Sequence, residues 1–277
     1  MKNFKVGVQL YSVRDDMAND IHKTLKAVKD AGYDYVELAG YYDVDPKEFK
    51  RLLDEYGLKA ISTHDSYERL LKDPKGVIEE IKKFGMQYFG IPGIWSMRDE
   101  AIKGTDAYEK VVEDVKKAGE LLEKEGIKLL YHNHSFEFKR VLDKFMLEWI
   151  LEDVGDVVSP EIDVCWVHYA GYKPEEYIMQ FKRNLPVLHM KDFACTKLPE
   201  GPVYTDEITD EPKYPDMEKV GFESRSVGYG VQDVCAILKA AEEIGTEYII
   251  VEEETKQGDS ALEAIKKSRD YLKSLGI

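Results

Sequence analysis

The chain has 277 residues, of which 43% are hydrophobic and 34% are charged, enough apolar side chains for one large core. Its 39 basic and 54 acidic residues give a formal net charge of −15. That charge disfavours any role that depends on neutralising a phosphate backbone, so we expect no nucleic-acid partner. No apolar run approaches the roughly 20 residues that a membrane helix needs, and we expect no membrane association.

The first residues run directly into a strand-like segment and lack the apolar core and cleavage site of a signal peptide. The three cysteines, Cys165, Cys195 and Cys235, form no CxxC pair. An odd number of unpaired thiols is typical of a reduced compartment. The sequence therefore predicts a cytoplasmic protein.

Short apolar runs alternate with longer amphipathic stretches along the whole chain. Eight runs have the length and composition of buried strands: 5–10, 35–38, 58–64, 88–91, 127–131, 157–164, 186–190 and 248–251. The intervening and final stretches predict helices at 20–31, 46–56, 74–84, 105–125, 147–154, 174–184, 231–244 and 260–275, several of them beginning at proline or ending at glycine.

Eight strand–helix units in a chain of this length predict an α/β fold, a (β/α)8 TIM barrel. A doubly wound open sheet is the alternative, but no GxGxxG follows the first strand. No Ser-, Gly- or Pro-rich linker divides the chain, so residues 1–277 are predicted to form a single domain.

One segment departs from the alternation. Residues 193–230 contain four prolines and a cluster of acidic residues, with no clear periodicity. A loop this long inside a compact domain is usually a lid or a binding loop. Because loops that follow barrel strands lie on the active face, we expect 193–230 to cover the site; a solvated acidic excursion is the alternative.

The histidines are not evenly scattered. Only His22 falls within a predicted helix. The other five lie at or just beyond the C-terminal ends of predicted strands: His64, His132, His134, His168 and His189. Catalytic residues of a barrel come from this face, so the clustering is the strongest functional signal that the residues give by themselves.

One polar residue from each of the last four strand ends forms a candidate metal site: Glu137, Asp163, His189 and Glu252. Three carboxylates and one imidazole suit Mn²⁺ best, with Mg²⁺, Co²⁺ or Zn²⁺ as alternatives. Glu254 competes with Glu252, because period-two alternation directs both side chains to the same side. Without a metal, Asp163 would cap the next segment and His189 would be a satisfied core histidine.

Several segments resemble the sugar phosphate isomerase/epimerase family of the xylose isomerase-like barrel superfamily. They are GVQLYSVR, YHNHSFEF, EIDVCWV, LHMKDF, Gly228-Tyr229-Gly230 and IIVEEE, and they span nearly the whole chain. The resemblance implies a divalent metal held by Glu137, Asp163, His189 and Glu252. It also implies that Glu137 and Glu252 are the catalytic acid–base pair.

The resemblance implies a small carbohydrate substrate, and members of such families often form homo-oligomers. The expected reaction is epimerisation or isomerisation of a keto-sugar through an enediolate. A metal-dependent lyase, an inosose-type dehydratase or a 3-keto-glycoside eliminase, is the alternative; a phosphodiesterase is disfavoured by the net charge, and a non-catalytic sugar-binding protein by the four metal-ligand types. The residues expected to contact the substrate are Glu37, His64, His134, Trp166, His168 and Lys191.

Overall fold

The computed structural model describes residues 4–196, 217, 220–254 and 259–277. Eight parallel strands form a nearly closed barrel within a single domain. They are β1 (Lys5–Gln9), β2 (Tyr35–Leu38), β3 (Lys59–Thr63), β4 (Tyr88–Ile91), β5 (Lys128–His132), β6 (Val158–Asp163), β7 (Val187–Met190) and β8 (Tyr248–Val251). The predicted fold class and all eight predicted strands are confirmed.

The barrel has one seam. The strand order is β3-β2-β1-β8-β7-β6-β5-β4, and β3 meets β4 only through the bridge between His64 and Gly90. Asp163 lies in register with His189 across β6 and β7. The C-terminal ends of these two strands therefore deliver their polar side chains to the same level of the barrel.

The helices surround the barrel and occur between successive strands. They are α1 (Arg14–Asn19), α2 (Ile21–Ala31), α3 (Pro46–Glu55), α4 (Tyr67–Lys72), α5 (Pro74–Phe84), α6 (Asp106–Glu123), α7 (Met146–Val154), α8 (Val164–Tyr169), α9 (Pro174–Tyr177), α10 (Val234–Ile244) and α11 (Ala261–Ser274). None of the helices in the described part of the chain combines the length and apolar character needed to cross a membrane.

The longer helices begin and end where local sequence signals place them. Asp20 caps α2 by accepting from the backbone N–H of Lys23, and Ser260 and Glu263 form a capping box at α11. Gly32 ends α2 in the left-handed conformation, with φ of 97°. The strand interiors and the inner helix faces form one large buried core.

Some short elements were not predicted from the sequence. The predicted sixth strand ends at Asp163 rather than Val164, because the Asp163 carboxylate accepts from the backbone N–H of Cys165 and starts α8. The predicted helix 174–184 is shorter than expected: α9 gives way to a 3₁₀ turn at Ile178–Phe181. Two short antiparallel pairs also occur, Arg140–Val141 with Lys144–Phe145 and Asp192–Ala194 with Glu223–Arg225.

The predicted covering loop is only partly described. Its two ends pair as the Asp192–Ala194 and Glu223–Arg225 strands. The Asp192 carboxylate accepts hydrogen bonds from the backbone N–H groups of Gly228, Gly230 and Gln232, and so fixes the returning chain. The predicted cover itself, residues 197–216 and 218–219, lies outside the described residues.

Candidate functional site

A cavity of about 810 Å³ opens at the C-terminal ends of the strands. Its wall combines polar and aromatic side chains from distant parts of the sequence. The residues that line it include Gln9, Tyr11, His64, Trp95, His132, His134, Phe136, Trp166, Tyr169, Met217, Glu252 and Glu254. This is the face on which a barrel of this type carries its active site.

Four buried side chains converge beneath this cavity: His132, Asp163, His189 and Glu252. Each offers one ligand atom, and these atoms lie within 4.8 Å of one another. The four residues come from the ends of β5, β6, β7 and β8. Three of them, all but His132, were predicted as metal ligands from the sequence.

His189 is held from both sides by carboxylates. Its Nδ1 lies 2.9 Å from Oε2 of Glu252, and its Nε2 lies 2.8 Å from Oε2 of Glu37. Glu37 is in turn fixed by Gln9, whose Nε2 donates to it at 2.8 Å. Both ring nitrogens thus face carboxylates: Glu37 fixes the ring orientation from one side, and Nδ1 faces the candidate ligand Glu252 on the other.

A second group of ligand atoms lies next to the first and shares two of its histidines. It consists of His64, His132, Glu161 and His189. The Nε2 of His64 lies 2.9 Å from Oε2 of Glu161 and 3.1 Å from Oε2 of Glu37. Imidazoles and carboxylates therefore alternate through the interior of the barrel's C-terminal end.

Burial and neighbouring charges shift the titration of this cluster. Burial opposes a charged Glu252, yet Lys191 and His189 outweigh it and lower the pKa of this carboxyl below its usual range. Burial likewise opposes a protonated His189, but Glu37 and Glu161 raise its pKa well above the ordinary value. The pKa of Asp163 rises to about 7, chiefly through burial. Without a cation, protons must compensate part of the carboxylate charge.

Three atoms of these two groups are buried without any hydrogen-bond partner: Oδ2 of Asp163, Nδ1 of His132 and Oε1 of Glu161. Burying a polar atom without a partner is costly, so such atoms indicate an interaction that the protein chain itself does not supply. A carboxylate oxygen and an imidazole nitrogen are both good divalent-metal ligands. The residues present therefore fit a metal ion.

Lys191 is 1% exposed and lies beside the same cluster. Its Nζ donates to Glu254 at 2.7 Å and to Glu252 at 3.2 Å, and it lies 4.8 Å from the centre of the Trp166 ring. Glu254 is thus engaged by Lys191 and does not belong to either group of ligand atoms described above. Of the two competing glutamates, Glu252 is the one placed with the other candidate ligands.

Glu137 is not part of either group. It lies in a 3₁₀ turn, Phe136–Phe138, beyond the end of β5. Its Oε1 accepts from the Tyr131 hydroxyl at 3.0 Å, and its Oε2 accepts from the backbone N–H of His134 at 2.9 Å. Burial raises the pKa of Glu137 to about 8. The structure therefore brings His132, and not Glu137, to the other three predicted ligands.

The residues predicted to contact substrate fall into three groups. His64, His134 and Trp166 line the cavity. Glu37 and Lys191 are fully buried next to the cluster. His168 lies apart from these groups in α8, where its Nδ1 is 2.8 Å from Oε1 of Gln232.

Sequence reasoning did not select His132 or Glu161 as cluster members. The sequence position of each residue nevertheless indicates that its side chain belongs with the cluster. Glu161 precedes Asp163 by two positions in β6, so alternation directs both side chains to the same side of the strand. His132 is the last residue of β5, where the barrel interior opens to the cavity.

The cluster also requires a residue without a side chain. A Cβ atom at Gly90 would lie 2.7 Å from Cδ2 of His64 and 3.1 Å from Oε2 of Glu161. Glycine at this position of β4 therefore leaves the space that the His64 ring occupies across the barrel seam.

Comparison with known proteins agrees with the barrel fold. The xylose isomerase-like TIM barrel family matches residues 25–275. The chain is 25% identical over 225 residues to an inosose dehydratase from Geobacillus kaustophilus (strain HTA426), covering 68% of this chain and 69% of the relative.

Solved structures share the same barrel. A sugar phosphate isomerase/epimerase from Parabacteroides distasonis ATCC 8503 superimposes with a TM-score of 0.76 at 25% identity, covering 99% of this chain and 95% of the other. The IOLI protein, solved with a zinc atom, has a TM-score of 0.68 at 18% identity, over 98% and 97% of the two chains. The chain belongs to the xylose isomerase-like TIM barrel family, whose members include sugar isomerases, epimerases and dehydratases.

Proposed function

We propose that this protein is a divalent-metal-dependent epimerase or isomerase of a small keto-sugar. The observation that carries the proposal is the convergence of His132, Asp163, His189 and Glu252 beneath an open cavity. The 25% identity to a sugar phosphate isomerase/epimerase supports the reaction class.

In this proposal the four converging residues hold one divalent ion, which would polarise the substrate carbonyl and stabilise the charge of an enediolate. Two carboxylates and two imidazoles make a less oxygen-rich ligand set than the three carboxylates and one imidazole predicted from the sequence. Such a set suits Zn²⁺ or Co²⁺ as well as Mn²⁺, the ion predicted from the sequence. Glu37 would orient His189 through the ring nitrogen that does not bind the ion.

Glu252 is the proposed proton-transferring carboxylate. It lines the cavity, and the adjacent Lys191 keeps it ionised, as a base requires. It would remove the proton next to the carbonyl, while inversion needs a second group that returns a proton. The sequence assigned that part to Glu137; the carboxylate of Glu137 is instead engaged with Tyr131 and His134. His64, which lines the cavity, is our candidate for the second group.

The test is deuterium uptake from heavy water by a panel of keto-sugars, measured with the metal-loaded enzyme by mass spectrometry. With the wild-type protein we expect the sugar to take up deuterium without losing water or an aglycone. With Glu252→Gln we expect this uptake to be at least a hundredfold slower. Glu253→Gln is the matched control, because Glu253 is buried away from the cavity against Ser268. Equal uptake by Glu252→Gln and wild type would refute the assignment of Glu252.

A lyase on the same scaffold is the second candidate, and the similarity to an inosose dehydratase favours it. Both reactions begin with removal of a proton next to a carbonyl, so the same residues serve either one. The products differ: loss of water or of an aglycone from the substrate would identify the lyase. The same deuterium experiment separates the two because it records the product mass.

A further inference from the structure

The cavity is larger than one sugar ring requires. Its volume of about 810 Å³ is in the upper part of the range of about 300–1,000 Å³ that holds drug-sized ligands. A single keto-sugar bound at His132 and Glu252 would leave much of this space to water. Five large aromatic side chains contribute to the cavity wall, and their apolar faces are poor partners for water: Tyr11, Trp95, Phe136, Trp166 and Tyr169.

A row of rings leads away from the metal-ligand cluster. The ring centre of His132 lies 5.1 Å from that of His134, which lies 4.9 Å from that of Trp95. Phe136 packs 5.1 Å from Trp95, and Trp166 lies 6.0 Å from His134. We call Trp95, His134, Phe136 and Trp166 the outer aromatic wall.

Trp95 stands out in this wall because 60% of its surface is exposed. It is nonetheless fixed, because its 3₁₀ turn, Trp95–Arg98, is anchored by the fully buried Met97 and its ring packs against two neighbours. Leaving an indole in water forfeits the free energy of burying its apolar surface. A ligand ring laid against Trp95 would recover that energy.

The wall also contains an unused hydrogen-bond donor. Trp166 is 6% exposed, and its Nε1 is buried without a hydrogen-bond partner. Leaving a buried donor unpaired destabilises the protein. A ligand with hydroxyl groups around an apolar ring face could satisfy both the donor and the aromatic surface. Carbohydrate rings have this combination.

We propose that the outer aromatic wall is a subsite for a second sugar ring, so that the substrate is a keto-glycoside of two rings. This inference rests on the proposed function, because the reacting ring must lie at the metal-ligand cluster. The second ring would stack its C–H face on Trp95 and direct hydroxyls towards Trp166. Specificity for a two-ring substrate then comes from Trp95, outside the reacting group.

The test uses two matched probes that share the reacting ring: methyl 3-keto-glucoside, and the 3-keto-disaccharide in which glucose replaces the methyl group. Binding to the metal-loaded protein is measured by calorimetry, and kcat and KM are measured where turnover occurs. We expect the disaccharide to bind about tenfold more tightly than the methyl glycoside. Trp95→Ala should remove this difference, and Trp95→Phe should restore most of it.

Tyr229→Ala is the matched control, since Tyr229 is equally exposed at 60% but does not line this cavity. The control should leave both affinities unchanged. Equal affinity of the two probes for the wild type, or an equal loss of both with Trp95→Ala, would overturn the subsite. If wild type binds the disaccharide preferentially but converts neither probe, the proposed reaction fails while the subsite stands.

Discussion

The identity of the fourth metal ligand gives the sharpest test of the site. The sequence and the family resemblance select Glu137, whereas the structure places His132 with Asp163, His189 and Glu252. Two isosteric or near-isosteric changes, His132→Gln and Glu137→Gln, separate these assignments. We expect the first to weaken metal binding strongly and the second to leave it close to the wild-type value.

The expected loss of metal affinity follows from the side chains that remain near the site after each substitution. His132 is 1% exposed, and the nearby Glu37 carboxylate is already engaged with Gln9 and His189. Oε1 of Glu161 has no hydrogen-bond partner, but Glu161 belongs to the neighbouring group of ligand atoms and not to that of Asp163, His189 and Glu252. Removing an outer partner of a ligand costs about 10–100-fold in affinity, so loss of the ligand should cost about 100-fold or more, or about 2.7 kcal/mol.

The assay is metal content after dialysis against a graded chelator buffer, measured by inductively coupled plasma mass spectrometry for Mn²⁺, Co²⁺ and Zn²⁺ in turn. Circular dichroism of each variant checks that the barrel is intact. If Glu137→Gln loses the metal and His132→Gln retains it, the geometric argument is wrong and the assignment from the sequence is right.

Three further predictions concern stability. Saturating metal at about 100 times its Kd should add about 2.7 kcal/mol to the free energy of unfolding. Chelation should therefore lower Tm by roughly 5 °C in differential scanning calorimetry, and an unchanged Tm would contradict the metal site. Burial raises the pKa of Glu253 from 4.5 to about 8, so this carboxyl should lower folding stability by roughly 1.4 kcal/mol per unit as pH rises between these values, beside the contributions of Glu137 and Asp163. Glu253→Gln should reduce the overall slope by that amount in urea titrations from pH 5 to 8, and the exposed control Glu242→Gln should not. Gly90→Ala should cost about 1–3 kcal/mol in the same titrations and perturb the His64 imidazole signals in NMR spectra; a neutral effect would mean that the His64 ring has room to move.

The order of the elements could be predicted from the sequence because strand and helix signals are local. The apolar run that ends at Tyr131 and the proline that opens α5 act on their own segments, whatever the rest of the chain does. Short elements such as α8 were missed because their causes are single contacts. The Asp163 side chain that starts α8 is also a candidate ligand, and sequence patterns do not separate those two uses.

The sequence by itself determined that polar groups would gather at the C-terminal ends of the strands. A parallel barrel places those ends on one face, so Asp163, His189 and Glu252 could be selected without coordinates. Only the tertiary structure places His132, rather than Glu137, with these three residues. A 3₁₀ turn, Phe136–Phe138, follows β5, and the direction of the Glu137 side chain there depends on contacts with Tyr131 and the His134 backbone. Strand alternation ends with the strand, and beyond it only packing determines which way a carboxylate points.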